Sequence, residues 1–584
     1  MAQARVALPA RSGEGGGPPS PGRVAQVNRE RLLSCAACGI PGLLAGIHVT
    51  GLLFFLNPHL PFQPGPVFRT SAYYGVLGAL TTMALFIPFS WRAPERARRL
   101  LPWCLAGVFV AAAGLDLAHA AFYDHFLPPG IHDRLVKAGL WLVLAAAVTL
   151  YTAFLHSYRR QKPYGARSRF GIASLAVLTV YSVFERREAF EPPPQRKPRA
   201  AAIESTPPPN LLIVGVDGAS LDAILPLSEQ GLLPFFSQTM RSGSYGRAES
   251  LEPASRLPLW TTVVTGKYPF RHGVVSEETR GAPSLRGERF HLAPRAIGFG
   301  VWGDRGMTEG GPAALPSAPS LWQIAAGFGI DVFALDFGVG LTESAGARAA
   351  ALGSAMEDER LARLGDGPPS ALYTAALRDL DTQAQLMEIL RSRSREDDSG
   401  LVLFAVMDGL AAVSHLYYDS YEAVQFDGDQ EQARVDQARW LSAYYAFVDG
   451  LLAEAWEQLP PPRTLAVVSA YGWRRSGPLR SLFGLRGKAP GGAGVSQNTP
   501  DGLLLLRGQG INEDLLLTRL GIQDVAPTLL YALNLPTALD IDGRVITEAF
   551  EPSTLARRPI AFVPSYETTA GAARGPGWRD QRQP

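Results

Sequence analysis

The sequence predicts an α/β domain arranged around a mostly parallel sheet and preceded by an all-α bundle of membrane-spanning helices. Three observations carry this. Apolar stretches of spanning length crowd the first third of the chain. From residue 210 onwards, short apolar runs alternate with amphipathic stretches, the signature of strands feeding helices. All three cysteines, Cys35, Cys38 and Cys104, lie in or beside the apolar third, so the later domain must hold together without a disulfide.

Composition bounds the rest. The 584 residues carry 55 Lys+Arg against 53 Asp+Glu, a net charge of +2, which excludes a strongly basic nucleic-acid binder. The 60 glycines and 47 prolines fall short of the quarter or more that marks low-complexity chains, and 47% hydrophobic residues suffice for a large core.

Residues 1–30 are rich in Gly, Pro, Ser and Arg with little to bury, and are predicted to be a disordered cytoplasmic tail. No apolar stretch occurs before Leu32, so the expectation is an uncleaved anchor rather than a secretory signal. A transmembrane region is expected over 31–184, with helices at 36–56, 71–91, 101–122, 138–155 and 170–184. The last has 15 residues, enough for a thin span or a buried helix. Arg5, Arg11, Arg23, Arg29 and Arg31 precede the first span; Arg92, Arg96, Arg98 and Arg99 follow the second; Arg159, Arg160, Lys162, Arg167 and Arg169 follow the fourth. The alternate loops hold only Arg69, then Arg134 and Lys137. The positive-inside rule therefore makes the N-terminus cytoplasmic. Five spans place the large domain outside the cytoplasm and four place it inside; Arg186 and Arg187, after the fifth stretch, weigh against five. The expectation is a multi-pass cell-membrane protein with an extracytoplasmic C-terminal domain.

Asp116 and His119 share one helical face near the end of the third span, where they reach headgroups or pair with each other. The alternative is a transport or lipid-modifying role there, with the soluble domain as sensor or lid. Asp124, His125, His132 and Asp133 in the next loop are ligand types without a known metal spacing, and Cys35-x-x-Cys38 lacks a second pair. Residues 185–209 are Pro-rich and charged, an extended linker.

The domain expected over 210–566 opens with LLIVGV at 211–216, followed by Asp217-Gly218 and an amphipathic segment over 220–231. Further strand-like runs fall at 331–337, 401–407, 464–469 and 502–506. Sites in parallel sheets form beyond the carboxyl ends of the strands, where Asp217 stands. The stretch 277–320 carries no recognisable chemistry, and 567–584 is a small, polar tail expected to be disordered.

Four motifs then occur in order: VGVDGAS around Asp217, LPLWTTVVTGKYPFRHGVV over 257–275, AYYAFVDGLL over 443–452 and DVAPTLLYALNLPTALDIDGRVI over 524–546. Together they resemble the alkaline phosphatase superfamily, in its type I phosphodiesterase / nucleotide pyrophosphatase-like branch. The resemblance implies an alkaline phosphatase-like sandwich and a centre of two divalent metals, usually zinc, that activates a Ser or Thr nucleophile.

Carried over residue by residue, most of that centre is missing. The first ligand remains as Asp217. Arg256 stands at the nucleophile position, with Ser255 beside it as the one substitute. The D-x-x-x-H pattern keeps His415, but Ala411 replaces the carboxylate, and Asp408 lies three residues further upstream. Ala470 and Tyr471 replace two ligands, Asn498 a third, and His272 matches a motif without being a ligand. One ligand per metal does not hold zinc, which takes three or four. Arg256 would repel a dication: a unit pair 4 Å apart at an effective dielectric of 20 is worth about 4 kcal/mol, and a dication roughly doubles it.

The expectation is a retained scaffold without its chemistry and without a bound cofactor, a binding or scaffolding domain. Its cleft, with Arg256 and the nearby Arg474 and Arg475, would take an anionic ligand or a protein partner. In that reading Asp217 caps the helix near Ser220 or bonds Arg256, and His415 is an ordinary core histidine. The competing expectation is an active phosphohydrolase or transferase with two zinc ions, using Ser255, Asp217, Asp408 and His415.

Overall fold

Proline opens four of the five N-terminal helices: α1 (Pro21–Leu56), α2 (Pro64–Arg92), α3 (Pro94–Phe122) and α4 (Pro129–Tyr158), followed by α5 (Ala166–Phe184). Its fixed φ suits the first helical position, and the amide it lacks has no partner there anyway. Each helix therefore begins several residues ahead of the apolar stretch that foretold it, and α1 takes in the last ten residues of the segment expected to be a tail. The computed structural model describes residues 21–60, 63–158, 165–184, 209–294, 308–312, 316–335, 360–364, 367–392, 400–473 and 501–567. The linker expected at 185–209, all but its last residue, and the tail at 568–584 lie outside them. Helices α1 to α4 each contain a stretch of 24 to 27 residues long and apolar enough to cross a membrane.

Contacts divide the chain into two units. The first holds the described residues within 21–119, 133–184 and 281–308. Within it α1 and α2 pack backbone to backbone: a β-carbon on Gly42 would collide with Gly78, and one on Gly46 with the Tyr74 carbonyl. Small residues at i and i+4 allow this approach between apolar helices. His48 of α1 and Asp116 of α3, both buried, meet at 2.8 Å. This corrects the expected pairing of Asp116 with His119, whose Nδ1 instead bonds the Leu115 carbonyl at 2.7 Å. Neighbours one turn apart on a helix can satisfy a backbone carbonyl locally, which left Asp116 to reach across.

The second unit holds 120–132, 209–280 and the described residues beyond 309. Its centre is a seven-stranded sheet whose strands, numbered along the chain, are β1 (Asn210–Val216), β2 (Ser244–Glu249), β3 (Asp331–Leu335), β4 (Leu401–Met407), β5 (Arg463–Ser469), β6 (Gly502–Gly508) and β7 (Leu515–Gly521). The spatial order is β7-β2-β6-β5-β1-β4-β3. Pairing is parallel for β1 with β4 and β5, β3 with β4, and β7 with β2; only β6 runs against its neighbours. The mostly parallel sheet is as expected. β1 and β4 are buried almost end to end, which is why they read as unbroken apolar runs.

The helices that place the site follow the strands: α6 (Leu221–Glu229), α7 (Pro234–Arg241), α8 (Arg256–Thr265), α9 (Ser370–Ser392), α10 (Gly409–Gln425) and α11 (Gln432–Gln458). The apolar faces of α6, α7, α9, α10 and α11 close over the sheet in one core that runs from Leu212 and Val214 through Leu403 and Ala405 to Tyr444, Val448 and Leu465.

Candidate functional site

Strand β1 ends at Val216, and the next backbone amide, that of Asp217, donates to the Met407 carbonyl at the end of β4 at 3.0 Å. The two central strands thus fix Asp217 at the carboxyl edge of the sheet. Gly218 follows with φ +78°, and a β-carbon there would strike the Trp473 indole, so only glycine fits. The helix after this turn is capped by Ser220, whose hydroxyl accepts from the Asp222 amide at 3.1 Å.

Asp217 is left free of the capping role. Its Oδ2 accepts from the Arg256 Nε and its Oδ1 from the Trp260 indole. These donors are at i and i+4 on α8, hence one above the other on a single helical face. The Asp217 side chain is 1% exposed and that of Arg256 31%. Burial pushes the Asp217 carboxyl up, with Arg256 and Trp260 opposing. Burial also works against the Arg256 charge, but the adjacent carboxylate outweighs it and holds the guanidinium above its ordinary range. The pair is ionic.

Ser255 precedes α8. Its hydroxyl donates to Glu277 Oε1 at 3.2 Å, and the Arg256 amide donates to the same oxygen at 2.7 Å. Nothing in the spacing of the sequence points to Glu277, which is 22 residues downstream.

The positions where the resemblance implies ligands are occupied by other chemistry. Ala411 is buried on α10, and Trp473 packs beside it and against Gly218. Tyr471 is fully buried; among the described residues its hydroxyl and the Trp473 Nε1 have no hydrogen-bond partner. Burial raises the Tyr471 phenol well above its ordinary value, with Asp217 adding to the effect. Asp408 is drawn aside by Arg378 at 3.0 Å. His415 lies on the exposed face of α10, its ring 6.0 Å from that of Trp473, so it is not the core histidine expected. The helix buries Leu410, Ala411, Ser414 and Tyr418, and His415 falls beside that stripe.

His272, by contrast, is fully buried. Its Nδ1 accepts from the Val274 amide at 3.2 Å and its Nε2 meets Thr262 Oγ1 at 3.1 Å; burial lowers its pKa to about 3. It is a neutral packing residue. Asn498, Arg474 and Arg475 lie outside the described residues. In the loop after α3, His132 and Asp124 approach to 3.4 Å while His125 stacks on Tyr268 at 4.3 Å. Among the described residues no three His, Cys, Asp or Glu side chains are grouped so as to hold a metal ion. A cavity of about 600 Å³, lined by Arg247, Glu249, Asp501, Arg519 and Gln523, lies along β2 and β7, three strands from Asp217.

Residues 211–477 match the family model for type I phosphodiesterase / nucleotide pyrophosphatase, the branch that the motifs resemble. Among curated proteins none matches the chain. Similar solved structures include murine ectonucleotide pyrophosphatase / phosphodiesterase 5, 13% identical over 59% of this chain and 100% of that one, with a TM-score of 0.35. A putative sulfatase from Bacteroides thetaiotaomicron is 11% identical over 60% of this chain and 75% of that one, TM-score 0.37. A phosphonate monoester hydrolase from Silicibacter pomeroyi is 13% identical over 59% and 77%, TM-score 0.34. Likeness at this level says nothing of activity.

Proposed function

From a type I phosphodiesterase / nucleotide pyrophosphatase domain over residues 211–477, we propose a membrane-anchored protein that has kept this scaffold, lost its metal-dependent chemistry and uses the old cleft for binding or scaffolding. The observation that carries the reading is that both oxygens of Asp217 are taken by protein donors. A metal would have to displace a guanidinium and an indole, and would find a methyl group at Ala411 and Ala470 and a phenol at Tyr471. This donor set does not fit two zinc ions, so no step is derived through them. An ion pair fills the place of the metal, and the outer nitrogens of Arg256 face an anionic ligand or a protein partner.

Metal analysis and turnover test the reading together. The purified full chain, dialysed against zinc, is expected to carry well under one zinc per molecule and to leave an aryl phosphodiester intact. About two zinc per chain, or turnover abolished by Arg256→Ala and by a chelator, would overturn it.

One observation favours a second reading, in which the domain still hydrolyses or transfers. The Ser255 hydroxyl already donates to a carboxylate, Glu277, the arrangement that activates a nucleophile. In that case Ser255→Ala abolishes turnover while leaving the melting temperature unchanged.

A further inference from the structure

Two turns of the helical bundle hold chain that belongs, in sequence, to the α/β part. The first turn joins α1 to α2. Asn57, fully buried there, donates from Nδ2 to the Leu53 and Leu292 carbonyls at 2.8 and 2.7 Å; its Oδ1 accepts from the His291 and Leu292 amides at 2.7 and 2.9 Å. That uses both donors and both lone pairs of the amide. Leu53, Phe54, Leu60 and Tyr74 pack around it with Ala282, Leu285 and Phe290, and His59 bonds the Arg289 carbonyl at 2.8 Å. The second turn joins α3 to α4. Besides the stacking of His125 on Tyr268, the His125 carbonyl accepts from the Phe270 amide at 3.4 Å.

Successive spans alternate in direction, so these two turns lie on one side of the membrane. The basic clusters that precede the apolar stretch of α1, separate those of α2 and α3, and separate those of α4 and α5 mark the other side as cytoplasmic. Segments 268–270 and 282–292 are therefore reachable only from outside. A chain that crossed four times would leave α4 on the cytoplasmic side and could not bring them there. Helix α5, with 19 residues, is about 28 Å long, close to the thickness of a bilayer core.

We infer that α5 is a fifth crossing and that the α/β domain stands on the non-cytoplasmic side, with residues 282–292 docked on the α1–α2 turn. The basic clusters facing the cytoplasm outweigh Arg186 and Arg187, which then face outwards. This orientation holds whether or not the cleft is catalytic. It restricts ligands and partners to molecules met outside the cytosol.

Single cysteines read the sidedness directly. With Cys35, Cys38 and Cys104 replaced by alanine, Glu288→Cys, Ser553→Cys and Ala166→Cys are each exposed. In intact cells stripped of any outer envelope, a membrane-impermeant maleimide is expected to label positions 288 and 553 fully and position 166 only after permeabilisation. Labelling of 553 or 288 only after permeabilisation would overturn the inference. Should the cysteine-free chain fail to fold, trypsin applied to cells carrying the unaltered chain gives the same answer: an external domain is cut, a cytoplasmic one protected. Asn57→Ala is expected to speed cutting at Arg286 and Arg289 about tenfold, and an unchanged rate would overturn the docking.

Discussion

Asp217 and Arg256 form an ion pair whose two halves differ sharply in exposure, and that asymmetry sets what each substitution does. Arg256→Met strands a buried carboxylate with one indole donor, a loss of about 3–5 kcal/mol. Asp217→Ala leaves the guanidinium a partial route to solvent, so it should cost less. The double variant should be less destabilised than the sum of the two, by about 0.5–3 kcal/mol, because neither charge is then left alone. Melting of the four proteins checks this, and strict additivity would mean that the pair is not coupled. Asp379 on α9 makes the corresponding argument through pH. Burial raises its pKa to about 7, against hydrogen bonds from the Tyr444 hydroxyl at 2.8 Å and the Gly409 amide at 3.1 Å. The folded state thus holds a proton that the unfolded chain releases near pH 4. The stabilisation is complete below that pH, declines as pH rises, and is lost above about 7, amounting to at most about 4 kcal/mol. Asp379→Asn is expected to flatten this part of the stability profile, measured by denaturation between pH 4 and 8.

At the scale of elements, the close packing of α1 on α2 rests on glycines. Gly46→Leu would drive a side chain into the Tyr74 backbone, and the helices would have to separate, at a cost of about 1–3 kcal/mol. Gly107 on α3 has open space where its side chain would be, so Gly107→Leu should be neutral or slightly stabilising through helix propensity. Detergent melts of both variants separate packing from propensity. Elements also show where sequence reasoning reached its limit. The apolar runs of β1, β4 and β5 were legible because these strands are buried on both faces. β2, with the sequence SYGRAE, alternates buried with more exposed residues, and β7, LLLTRLG at the sheet edge, is half exposed and broken by Thr518 and Arg519, so neither presents a long run. The reversed direction of β6 leaves no trace in composition, since a buried antiparallel strand is as apolar as its parallel neighbours.

For the whole molecule, motif order carried the architecture and single residues carried the site, and the two were not equally readable. Ala411, Ala470 and Tyr471, standing where the resemblance implies ligands, were legible in the sequence; what surrounds them was not. Trp260 sits one turn from Arg256 and could have been paired with Asp217 by helical spacing alone. Trp473, Glu277 and His48 are brought to their partners only by tertiary folding, from 255, 22 and 68 residues away, and no local period encodes that. The same distinction yields a test on the intact protein. If zinc were bound, folding would be linked to it: at a thousand times its dissociation constant a ligand adds about 4 kcal/mol of stability, and a chelator removes all of it. On the proposal that the cleft holds no metal, the melting temperature should be the same in excess chelator and in excess zinc. Because Arg256 and Trp260 satisfy both oxygens of Asp217 without a metal, any chelator-dependent fall would have to come from ligands elsewhere in the chain, or from a site in which Asp217 has let go of Arg256. Repeating the melt with Asp217→Asn tells these apart: the fall survives in the first case and disappears in the second.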